Sequence, residues 1–345
     1  MRPAPLAHVP AVDAAVRDAV AALADELRGI DGALGEVAEA LVDAASGGKR
    51  LRGALVCWSS LAHGGRSADD VMGAAVAVEL VHLSALVHDD VIDRADTRRG
   101  RPSVHARFAA AGGDEDFGRS VAILLGDVLL AAAPAALETC TVDPGALTRA
   151  RAALVRLQVE VMAGQFLDVD AVVQREVDVA RALTIATLKS GRYSVARPLE
   201  LGALLAGVPE EDAARLLAVG DPIGVAFQLR DDLLGVFGDP TTTGKPAGAD
   251  LVEGKRTLLV AETLARLSAT ERDVFETRFG TDDLDAPGVA ALSATIETCG
   301  AREALEQRID GLRGEARDAA RTLGLGPDAV TALDGLADWA ATRHD

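Results

Sequence analysis

The chain has 345 residues, a formal net charge of −18 and 49% hydrophobic residues, but only 3% aromatic ones. This acidic balance argues against nucleic-acid binding, because there is no basic stripe and there are few rings on which bases could stack. With so few aromatic rings the core must be built from Ala, Val and Leu, whose small size suits close helix–helix packing. The helical spacing of these residues predicts an all-α fold, and we expect a single domain over residues 1–345.

Cysteine usage and hydropathy indicate the compartment. Cys57, Cys140 and Cys299 are scattered and odd in number, which predicts buried thiols in a reducing compartment. The amino-terminal residues lack the apolar segment of a secretory signal. The most apolar stretch, 121–137, is interrupted by a glycine, an aspartate and a proline. We therefore expect a buried core helix there, no transmembrane segment and a cytoplasmic location.

The first cationic motif follows amphipathic helices predicted over residues 11–45. Residues 46–52 read S-G-G-K-R-L-R and precede an apolar run over 54–61. Glycines ahead of a helix leave backbone N–H groups free to face an anion, and the helix dipole favours negative charge there. Lys49 and Arg52 add full positive charges. The segment is either an anion site or an ordinary basic helix start.

The first acidic motif lies within residues 79–105, where an apolar helix ends in Asp89, Asp90 and Asp93. Asp89 and Asp93 are four residues apart, so their side chains project from one helix face and repel one another. A divalent cation such as Mg²⁺, which takes oxygen ligands, accounts for that placement. Arg98 and Arg99 follow at once, and guanidinium groups suit phosphate oxygens. The motif predicts a metal–diphosphate site, although a solvated helix end would look the same.

Two histidines precede these carboxylates. His82 lies seven residues before Asp89, two turns back on the same face, so it either contacts a ligand or is a hydrogen-bonded core residue. His88 lies off that line, and we expect it to be structural. Further along, a helix over 177–188 is expected to end at Lys189, ahead of a break at Gly191.

The second acidic motif repeats the theme. Residues 227–239 read F-Q-L-R-D-D-L-L-G-V-F-G-D, so that Asp231 and Asp232 close another apolar helix. A loop rich in glycine and threonine follows, with Lys245, and residues 254–257 read G-K-R-T. Such a loop is typical of a lid that closes on a polyanion. The repeated arrangement favours a metal–phosphate site, whereas the helices after residue 257 are expected to serve as scaffold.

These motifs resemble those of the trans-isoprenyl diphosphate synthases (polyprenyl synthetases), over nearly the whole chain and in the family's order. The matches are G-G-K-R-L-R at 47–52, H-D-D-V-I-D and T-R-R-G-R-P-S-V-H within 88–105, G-Q-F-L-D at 164–168, K-S-G at 189–191, F-Q-L-R-D-D at 227–232, and T-G-K-P with G-K-R-T within 243–257. Any one of them is weak, but the ordered set is highly specific.

The resemblance implies an isoprenoid-synthase fold, usually homodimeric, with a central cavity between helices that both acidic helix ends face. It assigns three Mg²⁺ ions on the allylic diphosphate to the carboxylates of Asp89, Asp93 and Asp231. It implies supporting roles for Asp90 and Asp232.

The resemblance also assigns the cationic and polar groups. The allylic diphosphate would be held by Arg98, Lys189 and Lys245. The diphosphate of isopentenyl diphosphate would be held by Lys49, Arg52, His82 and Arg99. Gln228, with the region of Lys189, would face the developing allylic cation.

The implied reaction condenses isopentenyl diphosphate with an allylic diphosphate. Metals and fixed cations neutralise the departing diphosphate, the isopentenyl double bond captures the allylic cation, and the released pyrophosphate takes the final proton. No protein nucleophile is needed. The chain departs from the family pattern at Gly235, where a third acid is usual, at Gly53, where a proline is usual, and at Ser190, where a threonine is usual. We expect activity to survive Gly235 with an altered metal demand, and we expect the other two changes to be mild.

Product length is argued from helix geometry. Ala85 and Ser84 lie about one turn before Asp89, with Val81 below, and no aromatic ring closes the slot as in the short-chain farnesyl type. We therefore favour geranylgeranyl diphosphate, with farnesyl or longer products open.

Two other functions remain at this point. A class I terpene cyclase shares the first acidic motif, but its second motif is missing here. A regulatory subunit of a heteromeric synthase is suggested only by Gly235. Incubation with each allylic diphosphate separates these possibilities.

Overall fold

The computed structural model describes residues 3–112, 114–175, 178–239, 248–281 and 283–343. The structure is 81% helical, so the predicted all-α class is confirmed. The chain divides into two compact units. The amino-terminal unit contains Ala4–Val155 and Pro198–Ala213, and the carboxy-terminal unit contains Met1–Pro3, Arg156–Arg197 and Ala214–Asp345. The prediction of one domain over the whole chain stays a prediction.

The helices of the amino-terminal unit precede the long helix α7. They are α1 (Val9–Ile30), α2 (Gly35–Ala44), α3 (Leu51–Ala62), α4 (Met72–Ile92), α5 (Val104–Gly112) and α6 (Glu115–Leu137), with short 3₁₀ turns at Ala4–His8, Gly32–Leu34 and Asp69–Val71. Helices α7 (Pro144–Gln174), α9 (Arg197–Leu205) and α10 (Glu210–Ala214) contribute residues to both units.

The carboxy-terminal unit holds the remaining helices. They are α8 (Val179–Ile185), a π-helical segment (Ala186–Ala196), α11 (Leu217–Phe237), α12 (Ala249–Val252), α13 (Leu258–Arg266), α14 (Ala269–Arg278), α15 (Ala286–Thr298), α16 (Ala301–Thr322) and α17 (Pro327–Thr342).

Each unit is built around one apolar helix. In the amino-terminal unit α4 is buried along most of its length and packs against α3, α5 and α6. In the carboxy-terminal unit α11 packs against the π-helical segment, α16 and α17. Leu229 and Leu233 of α11 belong to a buried cluster with Leu259, Ile296 and Leu305. Small aliphatic side chains fill these interfaces, as composition predicted.

The predicted break at Gly191 is wrong. Helical structure continues through Ala186–Ala196 as a π-helical segment, a rare form often found at functional sites. The backbone of α11 crosses this segment so closely that a Cβ on Gly191 would lie 2.9 Å from the Val225 nitrogen. Glycine is therefore needed here for close packing of two helices and not for ending one.

A two-residue hairpin is the β-structure in the described residues. Thr97–Arg98 (β1) pairs antiparallel with Arg101–Pro102 (β2). Arg99 and Gly100 between them have φ values of 53° and 73°, the positive values that a tight primed turn requires. The hairpin fixes Arg98 and Arg99 beyond the end of α4.

Two described segments, Asp69–Ile92 and Glu115–Leu137, are long and apolar enough to cross a membrane by length and composition alone. The first is 72% buried, as the core helix of a soluble protein can be, whereas the second is 39% buried. The prediction of a buried helix over 121–137 is thus only partly right, because Ile123 and Leu124 are 46% and 64% exposed. The predicted absence of a membrane span stays a prediction.

Candidate active site

The acidic end of α4 presents its carboxylates on two sides of the helix. Asp93 caps the helix, and its backbone N–H donates to the carbonyl of Asp89 at 2.8 Å. His82, Ala85 and Asp89 are half-buried and Asp93 is exposed, so these four residues form one accessible stripe along α4. Asp90 points away from the stripe and is buried. The predicted shared face of Asp89 and Asp93 is confirmed.

Arg98 holds the two neighbouring carboxylates. Its Nε and Nη2 donate to Oδ1 of Asp90 at 2.8 and 2.5 Å, and Nη2 lies 3.6 Å from Oδ2 of Asp89. Burial raises the pKa of Asp90, although the hydrogen bond from Arg98 opposes that effect. Burial lowers the pKa of Arg98, but the bond to Asp90 outweighs this and the net shift is upward. Arg98 therefore positions the acidic motif.

A buried ion pair that sequence reasoning missed supports the first cationic motif. Arg50 caps α3 with a left-handed backbone, φ 47°, and its side chain is only 1% exposed. Its Nε donates to Oδ1 of Asp13 at 3.0 Å, and Nη1 lies 3.8 Å from Oε2 of Glu79. The available signal was Glu79, a glutamate within the apolar first part of α4.

The same glutamate explains why the residue after Arg52 is not the proline that is usual in the family. The backbone N–H of Gly53 donates to Oε1 of Glu79 at 3.0 Å, and both residues are buried. A proline, the usual residue of the family at this position, has no N–H to donate. Glu79 in this chain therefore binds the start of α3 through both Arg50 and Gly53.

Four arginines cluster around His82 in the amino-terminal unit. Arg99 donates to the carbonyl of Ser46 at 2.9 Å and lies beside the glycines of the cationic motif. Burial lowers the pKa of Arg99, and neighbouring arginines add to the shift. Burial also lowers the pKa of His82 well below its ordinary value, with further contributions from Arg52, Arg99, Arg50 and Arg98. The lowered pKa keeps His82 neutral although the surrounding region is strongly positive. Lys49, which is exposed, directly precedes Arg50 in the sequence.

The acidic end of α11 contains one exposed and one buried carboxylate. The side chain of Asp231 is 43% exposed and pairs with Arg343, which is only 3% exposed and stacks 3.6 Å above the ring of Phe227. Asp232 is buried and accepts a hydrogen bond from Nε2 of Gln228 at 2.7 Å. Burial, with the charge of Asp250 adding to it, raises the pKa of Asp232 to about 7.

Lys189 projects from the π-helical segment. Its Nζ lies 2.5 Å from Oδ2 of Asp168 on α7, the last residue of the G-Q-F-L-D motif. Both side chains are about one-fifth exposed, at 22% and 19%. Lys245, which was predicted to bind the same diphosphate, lies outside the described residues.

The predicted chain-length floor divides into two kinds of residue. Val81 and Ser84 are each 2% exposed and are enclosed by neighbouring side chains. Ala85 is half-buried and shares the accessible stripe with Asp89. The neighbouring His88 is not a floor residue and contacts α6, with its Nε2 3.1 Å from the carbonyl oxygen of Ile123. Of the three floor residues, only Ala85 has both space and the right face.

Within the part of the chain that the structure describes, no three acidic, histidine or cysteine side chains are close enough together to hold a metal ion by themselves. Mg²⁺ in proteins commonly takes one or two carboxylates and completes its shell with water and substrate phosphates. Paired carboxylates beside clustered cations suit that mode of binding. An all-α fold whose acidic helix ends lie beside clustered arginines is the arrangement expected of a helical enzyme that acts on organic diphosphates.

Comparison with known proteins agrees with this class. The chain belongs to the polyprenyl synthetase family, whose model matches residues 33–295. A geranylgeranyl diphosphate synthase of Methanosarcina mazei is 33% identical over 304 residues, 88% of each chain. A (2E,6E)-farnesyl diphosphate synthase of Mycobacterium bovis is 35% identical, over 86% of this chain and 80% of that protein.

A solved structure also resembles the chain closely. The geranylgeranyl pyrophosphate synthase of Corynebacterium glutamicum, complexed with isoprenyl diphosphate and magnesium, has a TM-score of 0.89 and 34% identity over 97% of this chain and 99% of that one. The predicted activity is therefore confirmed: the chain is a prenyltransferase that condenses isopentenyl diphosphate with an allylic diphosphate. The roles of individual residues stay predictions.

Proposed function

We propose that this prenyltransferase elongates an allylic diphosphate to geranylgeranyl diphosphate. The observation that carries the proposal is Ala85, a small half-buried residue one turn before Asp89 on the accessible stripe of α4. One helical turn is about 5.4 Å, so the hydrocarbon of a substrate held at Asp89 runs past Ala85. No aromatic side chain is present on the stripe at this depth to stop it.

The donor set fits divalent metal ions. Asp89, Asp93 and Asp231 offer exposed or half-buried carboxylate oxygens, which are the ligands that Mg²⁺ prefers. We propose that they hold three Mg²⁺, with the substrate diphosphate completing the ligand shells. When bound, the ions supply the positive charge that neutralises the departing diphosphate.

The cationic cluster around His82 is the proposed site for isopentenyl diphosphate. Arg52, Arg99 and Lys49 provide the charges, and neutral His82 can donate one further hydrogen bond without adding a charge. Arg98 and Lys189 are proposed to bind the allylic diphosphate. Arg98 is paired with Asp90 and Lys189 with Asp168, so an aspartate already orients each cation. A phosphate oxygen would bind beside that aspartate or take its place.

The remaining steps use few groups of the chain. The amide of Gln228, held by Asp232, can direct its carbonyl oxygen at the positive charge that develops on the allylic carbon. The proton lost from the isopentenyl unit passes to the released pyrophosphate. The proposal needs the acidic ends of α4 and α11 to act on one substrate, and it includes a cytoplasmic location.

We also propose a homodimer. Helix α7 carries a stripe of exposed apolar side chains spaced alternately four and three residues apart: Val155, Val159, Met162, Phe166, Val169 and Val173. Exposed fractions along this stripe range from 37% to 72%. An apolar stripe of that regularity is typical of a helix that packs against a partner.

The test is elongation by the purified chain with Mg²⁺, isopentenyl diphosphate and dimethylallyl, geranyl or farnesyl diphosphate in turn. We expect each to yield geranylgeranyl diphosphate, identified by chromatography after dephosphorylation. A hydrocarbon from one substrate alone would indicate a cyclase, and no turnover would favour the subunit interpretation. A farnesyl end product would contradict the chain-length proposal alone.

A double-mutant cycle tests whether both acidic helix ends serve one site. Asp89→Asn and Asp231→Asn are compared singly and together for Mn²⁺ binding in the presence of pyrophosphate. When two residues bind the same ligand, the free-energy changes caused by their substitution do not add, and they differ from the sum by about 0.5–3 kcal/mol. Strict additivity would contradict a shared site.

A further inference from the structure

The second acidic motif differs from the first at one helix position. In α4, Asp93 lies one turn beyond Asp89, and both carry carboxylates. In α11, the position one turn beyond Asp231 is Gly235. By sequence alone the second motif therefore has an acid missing from the face that carries Asp231.

The space beside Gly235 is filled by another carboxylate. A Cβ built on Gly235 would lie 2.1 Å from Oδ2 of Asp250 and 2.6 Å from its Cγ, distances that real Cβ atoms essentially never show. A side chain at position 235 and the observed position of the Asp250 carboxylate therefore exclude one another. Glycine at 235 is the residue that allows Asp250 to reach this face of α11.

The backbone holds Asp250 in this place. The N–H of Gly248 donates to the carbonyl of Gly235 at 3.1 Å, and Gly248 has a φ of 77° at the start of α12. The carbonyl of Asp250 accepts from the N–H of Lys255 at 3.1 Å. The main chain on both sides of Asp250 is thus hydrogen-bonded, which fixes the point from which its short side chain projects toward Gly235.

We propose that Asp250 supplies the carboxylate that the second acidic motif lacks at position 235. Its Oδ2 lies 2.1 Å from the Cβ position of residue 235, and that position is one helical turn beyond Asp231, as Asp93 is one turn beyond Asp89 in α4. Asp250 is a positioning residue for the divalent ion that Asp231 is proposed to hold. This inference rests on the proposed function, and it explains how the family's activity survives Gly235.

The experiment exchanges the two positions. Asp250→Ala, Asp250→Asn and Gly235→Asp are compared with the double variant Asp250→Ala/Gly235→Asp. Mn²⁺ binding with inorganic pyrophosphate is measured by electron paramagnetic resonance of the free ion, and the Mg²⁺ dependence of elongation is measured in parallel. Gly311→Asp is the control, because Gly311 is exposed on α16 with nothing within 4 Å of its Cβ position.

We expect both Asp250 variants to weaken Mn²⁺ binding by roughly 10- to 100-fold, the usual effect of losing a supporting metal-site residue. Gly235→Asp alone should also weaken it, because its carboxylate collides with Asp250. The double variant should recover binding to within a few-fold of wild type, and the control should not change it.

Two results would overturn the inference. One is Mn²⁺ binding within twofold of wild type in Asp250→Asn, even if its Tm is lowered, since that describes a structural aspartate. The other is a double variant that binds no better than Asp250→Ala. If wild type elongates and the exchange fails, only this inference is lost, whereas a wild type that does not elongate overturns the proposed function as well.

Discussion

Replacing Ala85 by phenylalanine should shorten the product. Ala85 lies on the accessible stripe of α4, one turn before Asp89, so a ring there enters the path of the growing hydrocarbon. When the growing hydrocarbon occupies the slot, forcing extra atoms into it costs about 1–3 kcal/mol. Since each ~1.4 kcal/mol changes a rate tenfold, the last elongation step should slow by roughly 5- to 150-fold. Farnesyl diphosphate should then accumulate.

The assay is chromatography of dephosphorylated products formed from labelled isopentenyl diphosphate and geranyl diphosphate. Ser84→Phe is the matched comparison, because Ser84 is only 2% exposed and its ring must displace packed neighbours. That variant should lose roughly 2–12 °C in Tm, whereas Ala85→Phe should remain near wild type in Tm. An Ala85→Phe enzyme with unchanged product length at the wild-type rate would refute this account of the slot.

Three further changes test other parts of the structure. Glu79→Ala removes a buried carboxylate that binds Arg50 and the Gly53 N–H, so the free energy of unfolding in urea should fall by about 3–5 kcal/mol. Glu79→Gln keeps an oxygen that can accept from Gly53, so its loss should be smaller. Equal losses in the two variants would contradict the role of the Gly53 bond. The pKa of Asp232 is raised from 3.8 to about 7, so without divalent metal its contribution makes the folded state less stable as pH rises from about 4 to about 7, and then levels off. Asp232→Asn should raise Tm at pH 8 but not at pH 4, and equal shifts at both pH values would refute this. Phe166→Asp should convert the proposed dimer to a monomer, as measured by light scattering. Ile30→Asp is the control, because Ile30 has the same 68% exposure, and it should leave the mass unchanged. A dimer in both variants would show that the interface does not involve this stripe of α7.

Much of the site could be predicted because its residues are local in sequence. Asp89 and Asp93 share a face as soon as their segment is helical. The cations of the G-G-K-R-L-R motif and the hairpin follow from short motifs in the same way. The prediction of a helix end at Gly191 was wrong because glycine is compatible with two structures. It can end a helix or allow another helix to approach, and only the neighbouring α11 distinguishes these.

The partners of the site residues could not be predicted. Lys189 binds Asp168, 21 residues away, and Arg343 pairs with Asp231, 112 residues away. Nothing in the local sequence of either cation names its carboxylate. Likewise, the sequence shows only that Gly235 lacks the usual acid, whereas the structure places the Asp250 carboxylate in the space beside it.

By itself the sequence determined the helical class, the family motifs and which charges lie on which helix faces, because helix periodicity converts spacing directly into direction. Tertiary structure alone decided which carboxylate each cation binds, which of the three floor residues has space, and which side chain lies beside Gly235. Those features depend on segments distant in sequence whose separation in space is set only when apolar helix faces pack and exclude water.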